Sequence, residues 1–334
     1  MIEPALSLAT RPLFGLPLAE LWFAVLLFVL GMFVFLDGFD FGVGALFATR
    51  EDEHERETLL SAIGPFWDGN EVWLVVFGGA LFAVFPQAYA GLFSRYYLLM
   101  FAILGALILR GIAPELYEQR DDDAWHRLWG TSFVVGSVGS PFFLGWFVGN
   151  WVTGQPGVVS LAGPVFGLAT LALSVVLGAA FLGLKTRGSL RDDVAADGQR
   201  AAVAYLALAV VALVYLALAF EWGLAAVLSL PSIAAVGLTV ASLAGYVLAT
   251  RRERYHVAFA STATTVLALV LLVGSLLYPA IDPAGDLTVQ AGAVETLSLN
   301  LVTIASAFLI PMVLGYFGVL YSVFAGPVEA GEAY

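Results

Sequence analysis

The sequence predicts an all-α, polytopic membrane protein with nine transmembrane helices, its N-terminus outside and its C-terminus inside. Three observations carry that prediction. The 334 residues are 60% hydrophobic and 12% charged, with a mean hydropathy of +0.92, which is more apolar than a soluble domain. Apolar runs recur at or above the ~20 residues that a helix needs to cross lipid. The cations fall almost wholly on one set of connecting loops, as the positive-inside bias requires.

A lead over residues 1–17 holds three prolines and lacks the basic stretch of a secretory signal, so none is expected. Span one, 18–48, follows Pro17 and ends before the charged run that starts at Arg50. Span two, 66–93, follows Gly64-Pro65 and carries no charge from Val72 to Phe85. Span three, 96–118, starts after Arg95 and ends among Glu115 and Glu118. Span four, 129–153, follows the charged stretch that ends at Arg127. Span five, 161–184, stops at Lys185. Spans six and seven, 201–220 and 224–249, are divided by Glu221-Trp222-Gly223 alone. Span eight, 256–278, reaches the Tyr278-Pro279 turn. Span nine, 297–324, follows an acidic loop that ends at Glu295. Only helices and closed barrels can cross lipid, and these runs show no strand alternation. No loop is long enough for a separate soluble domain, so residues 1–334 read as one integral-membrane domain.

Nine spans place Arg11 and Arg95 on the side of the N-terminus. The other side receives Arg50, Arg56, Arg110, Arg120, Arg127, Lys185, Arg187, Arg191, Arg200, Arg251, Arg252 and Arg254, the rest of the 14 cations. That side is therefore the inside. A net charge of −12 argues against nucleic acid as a partner. The absence of cysteine excludes disulfides, thiolate haem ligation and Cys-ligated iron–sulfur clusters.

The polar residues that carry chemistry gather at the inner ends of three spans. Asp37 and Asp40 are three residues apart, on one face of span one. Asp68 and Glu71 open span two in Gly64-Pro65-Phe66-Trp67-Asp68-Gly69-Asn70-Glu71-Val72-Trp73. Span three ends with Arg110, Glu115 and Glu118. Carboxylates beside hydrocarbon are expensive and mark ion or proton routes, because burial and like charges favour the protonated form. Two plainer readings stand beside that one. Asp68 with Glu71 matches a capping box, and the acids can pair with Arg50, Arg56 and Arg110 to stabilise the inner rim. The histidines, His54, His126 and His256, fall in or beside inner loops, and His54 and His126 are expected to be solvated. Met32, Met100 and Met312 lie in spans, where methionine packs. The chain is therefore expected to ligate neither haem nor metal. Gly38 and Gly42 form a GxxxG pair suited to close helix approach.

The run Leu36-Asp37-Gly38-Phe39-Asp40-Phe41-Gly42-Val43-Gly44 resembles the first-helix signature of subunit II of cytochrome bd-type quinol oxidases. Trp67-Asp68-Gly69-Asn70-Glu71-Val72-Trp73-Leu74, continued by Gly78-Gly79-Ala80-Leu81-Phe82-Ala83 and Phe85-Pro86, resembles its second-helix signature. Leu109-Arg110-Gly111, Gly149-Asn150 and Tyr278-Pro279 agree with the same family. The resemblance implies a heterodimer with a subunit I of similar nine-helix fold. That partner would carry the haems, b and d or b alone, and the quinol-oxidising loop. It implies a prokaryotic cell-membrane complex that oxidises quinol near the outer face and reduces oxygen to water with protons from inside. Lipids are its surroundings, and a small accessory subunit is a further partner that the resemblance admits. It assigns a proton-path role to Asp68, with Glu115 as an inner relay where many members have aspartate. Asp40, Asp37 and Glu71 are further candidates, and Trp67, Gly69, Asn70, Trp73 and Arg110 are signature residues. The alternatives from the residues alone are a proton-coupled secondary transporter and a purely structural membrane partner. Spans five to eight are almost free of polar groups between their ends, which disfavours a transporter.

Overall fold

The computed structural model describes residues 8–120 and 122–329. Residues 1–7 of the lead, Asp121 and the tail from Ala330 lie outside the described residues. The chain is mostly helical. In order, the helices are α1 Leu18–Phe47, α2 Glu53–Ile63, α3 Trp67–Val84, α4 Pro86–Arg95, α5 Tyr97–Tyr117, α6 Asp123–Val152 and α7 Ala162–Lys185. They continue as α8 Gly188–Ala219, α9 Gly223–Val227, α10 Leu230–Arg251, α11 Tyr255–Leu277, α12 Val289–Gly292 and α13 Thr296–Val323. A small antiparallel hairpin, β1 Ala280–Asp282 with β2 Leu287–Thr288, precedes α12.

Eight of these helices are long and apolar enough to cross a membrane: α1, α5, α6, α7, α8, α10, α11 and α13. The expected second span is divided instead. Pro86 has no N–H to donate and disfavours helical geometry at the residue before it. Phe85 accordingly sits at φ −127°, ψ 61°, α3 stops at Val84, and α4 starts on the proline. The first turn of α3 also holds Asp68, Asn70 and Glu71, which dilutes its apolarity.

Other boundaries moved for local reasons. The expected sixth span is the second half of α8, because the polar stretch from Arg191 to Arg200 contains no proline and continues the helix. The expected seventh is split by Ser229, whose side chain accepts a hydrogen bond from the Ser232 N–H and caps α10. The helix α6 starts early, where the Asp122 side chain accepts from the Trp125 N–H.

The centre of the bundle is α1, which packs against α3, α6, α7 and α11. Its approach to α7 is close because Gly42 faces Gly178. A methyl group at position 42 would lie 1.8 Å from the Ser174 carbonyl oxygen, and one at 178 would lie 2.5 Å from the Gly42 carbonyl carbon. Two backbones meeting at that distance need glycine on both sides. At the periphery, α13 is only 11% buried over its apolar window. It is fastened by Asn300, whose amide donates to the carbonyls of Leu8 and Arg11 while its oxygen accepts from the Leu13 N–H. The Trp22 indole donates to Thr303 at 2.9 Å.

Polar contacts at the helix ends sort into two groups. At one end Arg95 makes a two-bond contact with Asp282 at 2.7 and 3.0 Å, and the Tyr96 hydroxyl donates to the carbonyls of Asn150 and Gln155. Trp151 is 1% exposed and donates to the Ile281 carbonyl. At the other end Arg50 pairs with Asp197 at 2.6 Å, and the Val328 N–H donates to the Lys185 carbonyl.

Candidate functional site

The acids of α1 meet the arginine of α5 across α3. Asp37 and Asp40 lie one turn apart and are both 0% exposed. The Arg110 guanidinium, 2% exposed, reaches between them. Its Nη2 is 2.8 Å from Asp37 Oδ1 and 3.4 Å from Asp40 Oδ2, and its Nη1 is 3.0 Å from Glu71 Oε2. Arginine suits this place, since a planar fork with five donors can serve several carboxylates at once. Its flat faces lie against the rings of Phe41 and Trp67, at 4.9 and 5.8 Å. Three carboxylates share one guanidinium, so the cluster holds more acid than cation.

Asn70 extends the cluster. Its amide nitrogen donates to Asp40 Oδ2 at 2.8 Å and to the Leu36 carbonyl at 3.3 Å, and its amide oxygen accepts from the Tyr321 hydroxyl at 2.8 Å. Tyr321 belongs to α13 and stacks on Phe66 at 4.6 Å. One polar network thus ties α1, α3, α5 and α13 together. Nothing in the sequence linked Tyr321 to the acids. Its hydroxyl is one of several along α13, with those of Tyr316 and Ser322 close by. Asp37 keeps both carboxylate oxygens, and Asp40 one, without a hydrogen-bond partner beyond the guanidinium contacts.

The other candidate residues lie around this cluster. Asp68 is exposed at the start of α3, three residues before Glu71 on the same face. It caps nothing: the N-cap position is Phe66, and no side chain bonds the first turn. Gly69 faces Phe317, and Trp73 is 2% exposed between Phe28 and Phe317. Glu115 is exposed near the end of α5, away from the buried cluster. Its charge acts on Glu118, whose carboxyl is pushed above its ordinary 4.5 first by partial burial and then by Glu115 and Glu57.

The expected rim pairing holds for Arg110 alone. Arg50 turns to Asp193 and Asp197, and the Arg56 Nε donates to the Arg50 carbonyl. His54 and His256 are exposed. His126 is not simply solvated: it stacks on Tyr117 at 4.3 Å, and its Nδ1 lies 3.0 Å from Glu53, which also accepts from the Tyr117 hydroxyl at 2.5 Å.

This donor set does not fit a haem. The histidines sit in α2 or in the first turns of α6 and α11, and none lies deep in a span. No group of three or more His, Asp or Glu is placed to hold a metal ion among the described residues.

The profile of the cytochrome bd terminal oxidase subunit II family matches residues 18–324, nearly the whole chain. The chain belongs to that family. Among its relatives, the cytochrome bd ubiquinol oxidase subunit 2 of Bacillus subtilis (strain 168) is 31% identical over 325 residues, which cover 89% of this chain and 93% of the relative. The cytochrome bd-I ubiquinol oxidase subunit 2 of Escherichia coli (strain K12) is 27% identical over 354 residues, covering 88% and 90%. The structure of bd oxidase from Geobacillus thermodenitrificans superposes with a TM-score of 0.72 at 16% identity, over 92% of this chain and 99% of that one, and so shares the fold. The protein is thus a multi-pass membrane subunit of a bd-type oxidase, an oxidoreductase complex, and as subunit II it implies a subunit I.

Proposed function

We propose that this chain is the haem-free subunit of a bd-type quinol oxidase heterodimer and that it supplies part of the inner-side proton path to the oxygen site in subunit I. The observation that carries the reading is the series of acids running inward from the rim. Asp68 is exposed, Glu71 is half-buried one turn on, and Arg110 joins Glu71 to the fully buried Asp37 and Asp40. A cluster with more carboxylates than cations has room for a proton, and intramembrane acids of this kind serve proton relays. Glu115, at the inner end of α5, is the outlying relay in this reading.

The quinol follows from the relatives, which are named ubiquinol oxidase subunits. The haems belong to subunit I, because the donors in this chain do not suit them. Subunit I would perform quinol oxidation and reduction of oxygen to water. This chain would hold the partner and deliver protons. Residues 1–334 read as one integral-membrane domain, with α3 and α4 together forming the ninth span, the N-terminus outside and the C-terminus inside. Twelve of the 14 cations on one side support that orientation.

Purification tests the reading. The chain should come out with a haem-bearing partner, and the complex should take up oxygen when given quinol. A stable, isolated, haem-free chain that moves a solute would overturn it in favour of a transporter.

A further inference from the structure

Where α7 ends and α11 begins, beside the end of α13, a cavity of about 690 Å³ opens. Lys185, the single lysine of the chain, lines it while being 4% exposed. Its ammonium donates to the Phe324 carbonyl and lies 4.9 Å from the Phe66 ring and 5.8 Å from that of Phe181. Among the described residues it forms no ion pair with a carboxylate. An ammonium has three donors, and among the described residues one is used. A buried cation without an anion is costly.

The rest of the wall has the same bias. Arg191 and Arg254 also line the cavity, against one acid, Glu253. Arg191 is fixed in place: its Nε donates to the Thr186 carbonyl at 2.6 Å, and its guanidinium lies 4.7 Å from the Tyr255 ring. Phe181, Phe259 and Tyr321 provide apolar wall. Three cations above aromatic surface, at the ends of membrane helices, are the surroundings that a lipid phosphate meets: charge for the headgroup and apolar surface for the chain below it.

We propose that this cavity binds a phosphate group, that of an anionic phospholipid headgroup, with Lys185 at the phosphate and Arg191 and Arg254 at its mouth. The site has the same chemistry whichever face of the membrane it opens on. Arg254 is exposed and can be changed without disturbing packing.

The test is native mass spectrometry of the intact oxidase complex in detergent, titrated separately with phosphatidylglycerol, phosphatidylcholine and inorganic phosphate. The wild-type complex should hold one more tightly bound phosphatidylglycerol than the Lys185→Met complex. Arg254→Gln should weaken that site about fivefold, the effect of one surface cation at a lipid headgroup. Phosphatidylcholine should fill the site poorly, and inorganic phosphate should not displace the lipid. Equal phosphatidylglycerol occupancy in the wild type and both variants would overturn the site. Equal filling by phosphatidylcholine, or displacement by inorganic phosphate, would overturn its assignment to an anionic lipid. If Lys185→Met does not assemble, Arg254→Gln decides the matter alone.

Discussion

Replacing Arg110 by methionine removes the only cation among the described residues in contact with Asp37 and Asp40, while keeping most of the side-chain volume. The substitution breaks ion pairs of 2.8, 3.4 and 3.0 Å, and the two aspartates left behind are 0% exposed. Taking one partner from a buried ion pair leaves an uncompensated charge and costs roughly 3–5 kcal/mol. At 1.4 kcal/mol per tenfold, that is about 10²-fold to about 4 × 10³-fold in the folded-to-unfolded ratio. The Arg110→Met complex should therefore assemble in much lower yield and melt well below the wild type. Adding Asp37→Asn and Asp40→Asn removes the stranded charges and should restore much of the loss, because replacing a whole buried ionic group is far less damaging than halving it. The assay is the yield of haem-bearing complex from membranes, together with its thermal melt. Wild-type yield and melting in Arg110→Met would refute the reasoning, as would a triple variant no better than the single one.

Other outcomes follow from the same structure. Arg95→Gln strands the Asp282 carboxylate, which is 4% exposed, and should cost about 2 kcal/mol in thermal melts; adding Asp282→Asn should recover part of it. Reporter fusions after Arg120 and Arg191 should read inside, and those near Gly154 and Asp286 outside; an outside signal at Arg191 would contradict the nine-span topology. Glu118 has its carboxyl raised above its ordinary 4.5 by partial burial and by Glu115 and Glu57, so the folded state binds more protons than the unfolded one in the window just above that ordinary value. Stability should then fall slightly as pH rises through that window, and Glu118→Gln should flatten this part of the profile in melts taken on either side of it.

Eight of the expected spans were legible because hydropathy is a property of each run alone. Their breaks were legible only where a residue acts locally. Pro86 was present in the sequence, yet an apolar run continuing past it hid the end of α3 at Val84. The start of α8 at Gly188 was hidden for the opposite reason, since a polar stretch outside the hydrocarbon can be as helical as an apolar one. The acids were legible as candidates because charge is rare in spans. Their partner was not, since Arg50, Arg56 and Arg110 all fall at the ends that the cation bias predicts to lie inside, and only packing decides among them. The structure selects Arg110 because α5 places its guanidinium between Asp37 and Asp40, while Arg50 faces α8. Tyr321 lies 251 residues from Asn70 in sequence, and no local pattern reports a contact of that range. The capping-box pattern at Asp68 failed because the backbone has already entered the helix before that residue, through Phe66.

The most direct test of the proton-path claim is the turnover of the Asp68→Asn complex. Asparagine is close to aspartate in size, and Asp68 is exposed with no capping bond to lose, so the substitution removes the exchangeable proton and little else. Normal assembly and haem content with slowed quinol-dependent oxygen uptake are the expected result. A fully assembled Asp68→Asn complex that reduces oxygen at the wild-type rate would contradict it.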